Sequence, residues 1–284
     1  MPPLFVVDRG RGAPVLFVHG QPGLGSDWDQ VAGRLGDHRL LVVDRPGYGG
    51  SGDETLSLAD NAEVLAQLLV ERGAVPATVV GHSFGGGIAI LLAAHHPELV
   101  SGLVLAASVG RVDNATVVDR ALAYPVVGEA MSALGLFTLG RVLPPLRALT
   151  RGRSQPALRW LRAALPDDSY DVVSSQRGRR IWRSFVAEQR ALMHELGDVE
   201  GALVQIQAPT VVLSGEWDVV VPPSMSARMA DTIARAELVR VAGAGHFLPR
   251  DAPGSIAAAV RRVEVEASRA SDAERARPER GAGA

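Results

Sequence analysis

Six short aliphatic runs punctuate the chain: PVLFVHG (14–20), RLLVVD (39–44), ATVVGHS (77–83), VSGLVLAAS (100–108), PTVVLSG (209–215) and AELVRVAG (236–243). Each is continuous and rich in Val and Leu, with no polar residue at alternate positions. That pattern suits parallel strands covered on both faces. Helical stretches separate the runs, over Ser26–Leu35, Leu58–Arg72, Phe84–His95, Pro223–Ala234 and Pro253–Ala267. Strand–helix alternation of this kind predicts an α/β fold with a doubly wound, mostly parallel sheet, whose ligands bind outside the carboxyl ends of the strands. The alternation stops between about Arg111 and Glu200, where no convincing strand is found. Pro125, Gly135, Pro144-Pro145, Gly152, Pro156 and Pro166 divide this stretch into several helices. The expected organisation is a core of 1–111 and 201–270, a helical insertion over 112–200, and a small, charged tail from 271 to 284. The tail has too little apolar surface to fold and reads as disordered.

Composition narrows the chemistry. With 284 residues, 47% of them hydrophobic, a large core can be buried. Basic and acidic side chains nearly balance, 29 against 31, which gives no sign of a nucleic-acid or anionic-membrane partner. Every basic residue is Arg, so a Lys nucleophile or Schiff base is excluded. There is no Cys, which excludes a thiol nucleophile, a disulfide framework and thiolate metal ligation. The start, MPPLFVVDRG, lacks the basic and apolar regions of a signal peptide. No apolar run approaches the ~20 residues of a membrane span. A cytoplasmic protein without metal or cofactor is the expectation.

The main chemical signal is Gly81-His82-Ser83-Phe84-Gly85, a G-x-S-x-G match. The pentapeptide alone is weak in a chain with 31 Gly. Its setting is stronger, because a strand-like run leads into it and a helix-like run follows. The flanking glycines leave room for a tight turn, and the following helix aims its first N–H groups at the site. Serine needs a base to act as a nucleophile. Of seven His, His246 is best placed, in the flexible loop AGAGHF after the last strand candidate. An acid must then hold the imidazole tautomer. Asp218, just after PTVVLSGEW, is the leading candidate, with Glu216 and Asp231 as rivals.

Taken together, HGQPG (19–23), DRPGYGGSG (44–52), GHSFGG (81–86) and the pair GEWDVVVP and GAGHF resemble the α/β-hydrolases, each segment falling at a predicted strand end. The likeness covers about 1–111 and 201–270, and the order Ser83, Asp218, His246 matches that fold. The resemblance implies an oxyanion hole made by the backbone N–H groups of Gln21 and Phe84. It also implies that His19 shapes the oxyanion loop without taking part in the chemistry, and that the insertion is a cap forming the substrate pocket. Trp182, Phe185, Phe137 and Met131 are candidates for lining that pocket, with Trp160, Leu136 and Met193 beside them. Arg177, Arg179, Arg180 and Arg183 read as a solvated face, and the apolar stretch 125–139 as packed against the core. His82 is expected to pack under the turn.

The expected activity is hydrolysis of a small acyl substrate, such as a carboxylic ester or lactone, through an acyl-enzyme. Epoxide hydrolases and haloalkane dehalogenases open similarly, but they carry Asp where this chain has Ser83. Carbon–carbon bond hydrolysis of a vinylogous diketone, and cofactor-free haloperoxidase or perhydrolase activity, use the same three residue types. A non-catalytic ligand receptor on this fold is the reading from another class. The sequence does not fix the oligomeric state.

Overall fold

The computed structural model describes residues 3–114, 117–137 and 181–275. Seven strands form one sheet in the order β1-β3-β2-β4-β5-β6-β7. They are β1 (Phe5–Gly10), β2 (Pro14–Val18), β3 (Arg39–Asp44), β4 (Ala77–His82), β5 (Val100–Ala106), β6 (Thr210–Gly215) and β7 (Ala236–Val241). All neighbours pair in parallel except β1, which runs antiparallel to β3 at one edge. β1 is an element that the hydrophobic pattern did not reveal. Its FVVDRG segment is half exposed and breaks into Asp and Arg, as an edge strand can.

The continuous aliphatic runs divide their side chains between two cores. Leu16, Val18, Leu41, Val43, Leu103 and Leu105 face one side of the sheet. Val15, Phe17, Leu40, Val42, Val104 and Ala106 face the other. Both sets are buried because a strand's side chains alternate between faces and both faces are covered. On the first side lie α2 (Leu58–Glu71) and α3 (Phe84–His95). On the second lie α1 (Asp29–Ala32) and the last helix, whose Ile256, Val260 and Val263 meet Trp28 and Phe17.

Three further helices interrupt the alternation: α4 (Val117–Ala123), α5 (Val127–Phe137) and α6 (Ile181–Ala202). They pack on one another, and α6 also packs on α2 and α3. Over the described part of 125–139 the expected burial is not met, since Val126, Val127 and Leu134 are exposed; positions 138 and 139 lie outside the described residues. After β6 come α7 (Pro223–Thr232), α8 (Leu248–Asp251) and α9 (Pro253–Arg275). Helix α9 runs through Ser271 to Arg275, into the stretch read as a disordered tail. Ala, Glu and Arg are strong helix formers, and the pairs Arg269–Glu266 and Arg275–Asp272 lie along this end. The remainder of that tail, 276–284, lies outside the described residues, as do Trp160, Arg177, Arg179 and Arg180. Among the described residues no helix is long and apolar enough to cross a membrane.

Candidate functional site

Ser83 sits between β4 and α3 with φ +52° and ψ −119°. Non-glycine residues rarely adopt such a backbone, and local bonds hold it in place. Ser83 N–H donates to the Ala106 carbonyl at 3.1 Å, and the Ser83 carbonyl accepts from Gly86 N–H at 2.9 Å and Val109 N–H at 3.2 Å. A Cβ at Gly81 would lie 2.5 Å from the Gly85 carbonyl oxygen, and one at Gly85 would collide with the carbonyl oxygens of Val18 and His19. The turn therefore requires glycine on both sides of the serine.

Asp218 and His246 reach Ser83 from the loops after β6 and β7. His246 Nε2 lies 3.0 Å from Ser83 Oγ. His246 Nδ1 lies 2.9 Å from Asp218 Oδ2 and 3.2 Å from Oδ1. Asp218 Oδ1 also accepts the N–H groups of Val220 at 2.9 Å and Val221 at 2.8 Å, which orient the carboxylate. All three side chains are buried. The rivals are placed elsewhere: Glu216 accepts from Gly243 N–H at 2.7 Å, and Asp231 lies on α7. The fold thus brings together three residues that the sequence separates widely.

His82 does more than fill space under the turn. Its Nε2–H donates to the His246 carbonyl at 2.9 Å. Burial pushes its pKa down to about 3, with the nearby His246 adding to the shift, so the ring is neutral. His19 is also buried and held well below the usual histidine range, first by burial and then by Arg45. Its Nε2 accepts the Arg45 backbone N–H at 2.9 Å, which places the proton on Nδ1, 2.9 Å from the Gly20 carbonyl.

Sequence reasoning missed Arg45 and Glu188. Both are completely buried and form an ion pair between the loop after β3 and helix α6. Tyr48 Oη–H donates to Glu188 at 2.6 Å. Burial raises the Glu188 pKa, opposed by the Arg45 charge and hydrogen bond. The DRPGY segment offered a hint only as a family-like loop, since nothing local shows that Arg45 has a buried partner so far along the chain.

A cavity of about 260 Å³ opens on Ser83 and His246. Gln21, Phe84 and Phe247 frame it, while Leu122 from α4 and Phe185, Leu192 and Leu196 from α6 form apolar wall. Phe185, a candidate for the pocket wall, lines this cavity. Trp182 is not on this wall and clusters instead with Tyr48 and Ile181. Met131 is also absent from the wall and is partly exposed on α5. The Phe137 side chain lies outside the described residues. Asp119 and Gln189, which line the cavity, were missed, as was Val220; their inward positions depend on how α4, α6 and the loop after β6 dock. The backbone N–H groups of Gln21 and Phe84 have no hydrogen-bond partner among the described residues, as expected for Phe84 at the first position of a helix. Among the described residues no cluster of His, Asp and Glu is arranged to hold a metal ion.

A mostly parallel sheet with a strained serine at its centre and an Asp–His pair at neighbouring strand ends defines an α/β protein of the hydrolase type. The chain belongs to the alpha/beta hydrolase family, whose model matches residues 15–259. It is 28% identical over 256 residues to the 2-hydroxymuconate semialdehyde hydrolase of Pseudomonas sp. strain CF600, covering 84% of this chain and 82% of that one. It is 43% identical over 100 residues to the pimeloyl-(acyl-carrier protein) methyl ester esterase of Vibrio cholerae, a stretch covering 35% of this chain and 38% of the esterase. The solved structure of a thermophilic esterase from Thermogutta terrifontis is similar in fold, with a TM-score of 0.70 and 24% identity across 93% of each chain. These findings identify a hydrolase of the α/β fold.

Proposed function

We propose that this chain is a serine hydrolase that cleaves a small acyl substrate, such as a carboxylic ester or lactone, through an acyl-enzyme. The contact of 3.0 Å between His246 Nε2 and Ser83 Oγ, with Asp218 behind the ring, carries the reading. Ser83 Oγ attacks the acyl carbonyl as its proton passes to His246 Nε2. Asp218 holds the proton on Nδ1 in the resting state and stabilises the imidazolium that forms. The oxyanion of the tetrahedral intermediate is bound by the Gln21 and Phe84 N–H groups. The acyl–oxygen bond breaks and the leaving group takes the His246 proton. Water then attacks the acyl-enzyme, His246 receives its proton and returns it to Ser83, and the acid is released. Helices α4 and α6 act as the cap, and the apolar cavity beneath them receives a neutral acyl or alcohol group.

The test is turnover of p-nitrophenyl acetate and butyrate by the wild type and Ser83→Ala, with fluorophosphonate labelling of both. The expected result is hydrolysis and labelling that disappear together in Ser83→Ala. An inert, unlabelled wild type would favour a ligand receptor on this fold. A second enzymatic reading, carbon–carbon bond cleavage of a vinylogous diketone, draws support from the near full-length likeness to the semialdehyde hydrolase. A labelled enzyme that ignores simple esters and cleaves such a diketone would establish it in place of ester hydrolysis. Perhydrolase activity would instead appear as peracid formation from acetate and peroxide.

A further inference from the structure

We infer that Arg45 is a positioning residue for the oxyanion donor at Gln21, and that Glu188 couples this arrangement to helix α6. The inference rests on the proposed role of the Gln21 N–H.

The Gly20 carbonyl and the Gln21 N–H belong to one peptide unit. That unit is trans and planar, so the two groups point in opposite directions. Fixing the carbonyl therefore fixes the aim of the N–H. Two donors hold the Gly20 oxygen, His19 Nδ1 and Arg45 Nη2, each at 2.9 Å. Arg45 also governs the first of these, because its backbone N–H occupies His19 Nε2 and forces the proton onto Nδ1. Its Nε donates to the neighbouring His19 carbonyl at 2.9 Å. The cation sits 4.8 Å from the centroid of the Phe84 ring, the residue bearing the second oxyanion donor. Arg45 thus touches the segments that carry both donors. A positive charge on the carbonyl side also draws electron density toward that oxygen and makes the opposite N–H a better donor to an anion.

The guanidinium is itself locked. Glu188 takes Nη1 and, at 3.3 Å, Nη2, and is fixed on its other side by Tyr48. Glu188 belongs to α6, which also carries Phe185 of the cavity wall. The Gln21 side chain adds a tie to that helix, donating from Nε2 to the Phe185 carbonyl at 2.7 Å. Correct seating of α6 and alignment of the oxyanion donor are therefore one arrangement.

A merely structural ion pair predicts a different response, because replacing both partners of a buried pair by apolar side chains is often neutral for stability. The test compares the wild type, the double variant Arg45→Met/Glu188→Met and the single variant Arg45→Lys. The readouts are kcat and KM for p-nitrophenyl butyrate and affinity for a trifluoromethyl ketone that forms a tetrahedral adduct with Ser83. Misaligning a donor without removing it is expected to lower kcat by about 10- to 100-fold, less than the loss of a donor. KM should stay within about twofold, and ketone affinity should fall in step with kcat/KM. Arg45→Lys keeps the charge opposite Glu188 but cannot reproduce the guanidinium fork. It should show the same kcat deficit, and it decides the matter if the double variant does not fold. Wild-type kcat in either folded variant, or a change confined to KM, would overturn the inference. An inert wild type that fluorophosphonate does not label would instead remove the proposed function and this inference with it.

Discussion

His82 Nε2–H donates to the main-chain carbonyl of His246 across 2.9 Å, so the residue before the nucleophile holds the loop that delivers its base. The two rings lie 5.0 Å apart, centroid to centroid. Replacing His82 by Ala should remove one of two donors to that carbonyl, the other being the Leu248 N–H at 2.9 Å, and cost about 1 kcal/mol of stability. Turnover should fall as the His246 ring drifts from Ser83. Urea unfolding and kcat of the variant check both effects.

The same residue makes stability depend on pH. The folded-state pKa of His82 is pushed to about 3, below its ordinary 6.5. The unfolded chain therefore takes up a proton in the window from 6.5 down to 3 that the folded chain refuses. Stability is full above pH 6.5 and is lost as the pH falls through that window. Between pH 7 and pH 5 this group should cost on the order of 2 kcal/mol. The loss measured by urea unfolding should be smaller by that amount in His82→Asn than in the wild type.

Asp218→Asn is expected to preserve the fold, because the Asn Oδ1 can still accept from Val220 and Val221. Its amide nitrogen would face His246 Nδ1 and favour the wrong tautomer. By comparison with equivalent changes in serine proteases, kcat should drop by about 10⁴-fold. Steady-state kinetics together with an unchanged melting curve check this.

The glycines around the serine should tolerate no side chain. The Cβ of Gly81→Ala would press on the Gly85 carbonyl, and that of Gly86→Ala on the Ser108 side chain. Each change is expected to destabilise by about 1–3 kcal/mol, with Gly81→Ala the harder to relieve because its obstacle is backbone. Urea midpoints relative to the wild type give the measure.

Filling the cavity should sort substrates by length. Leu196 lies on its wall. Leu196→Phe should lower kcat/KM for p-nitrophenyl octanoate by about 10-fold or more relative to the acetate, a size expected for shape discrimination in an apolar pocket. Loss of both activities equally would indicate a damaged site and not a narrowed pocket.

Much of this architecture is legible along the chain. The aliphatic runs predict β2 to β6 because a strand covered on both faces is apolar along most of its length, and Leu16 and Phe17 illustrate this by entering opposite cores; β7, at the other edge, shows through Leu238, Val239 and Val241 although it carries Glu237 and Arg240. Gly81 and Gly85 mark the turn because no other residue fits there, and Ser83, Asp218 and His246 stand where predicted strands end. Strand β1 escaped because an edge strand need not be apolar.

The linear order of residues thus determined which segments become strands, the turn at Ser83 and where the loops that deliver its partners fall, since each is set by the local residue pattern. Only the tertiary structure decided that Arg45 meets Glu188, that His82 holds the His246 carbonyl, and that Phe185 lines the cavity while Trp182 does not. The first and third depend on how α6 docks on the loops of the sheet, and the second on how the loop after β7 folds against the end of β4. Arg45 and Glu188 are 143 positions apart, and no local pattern encodes a contact over that span. The burial of two charges becomes favourable only when the whole chain has brought them together.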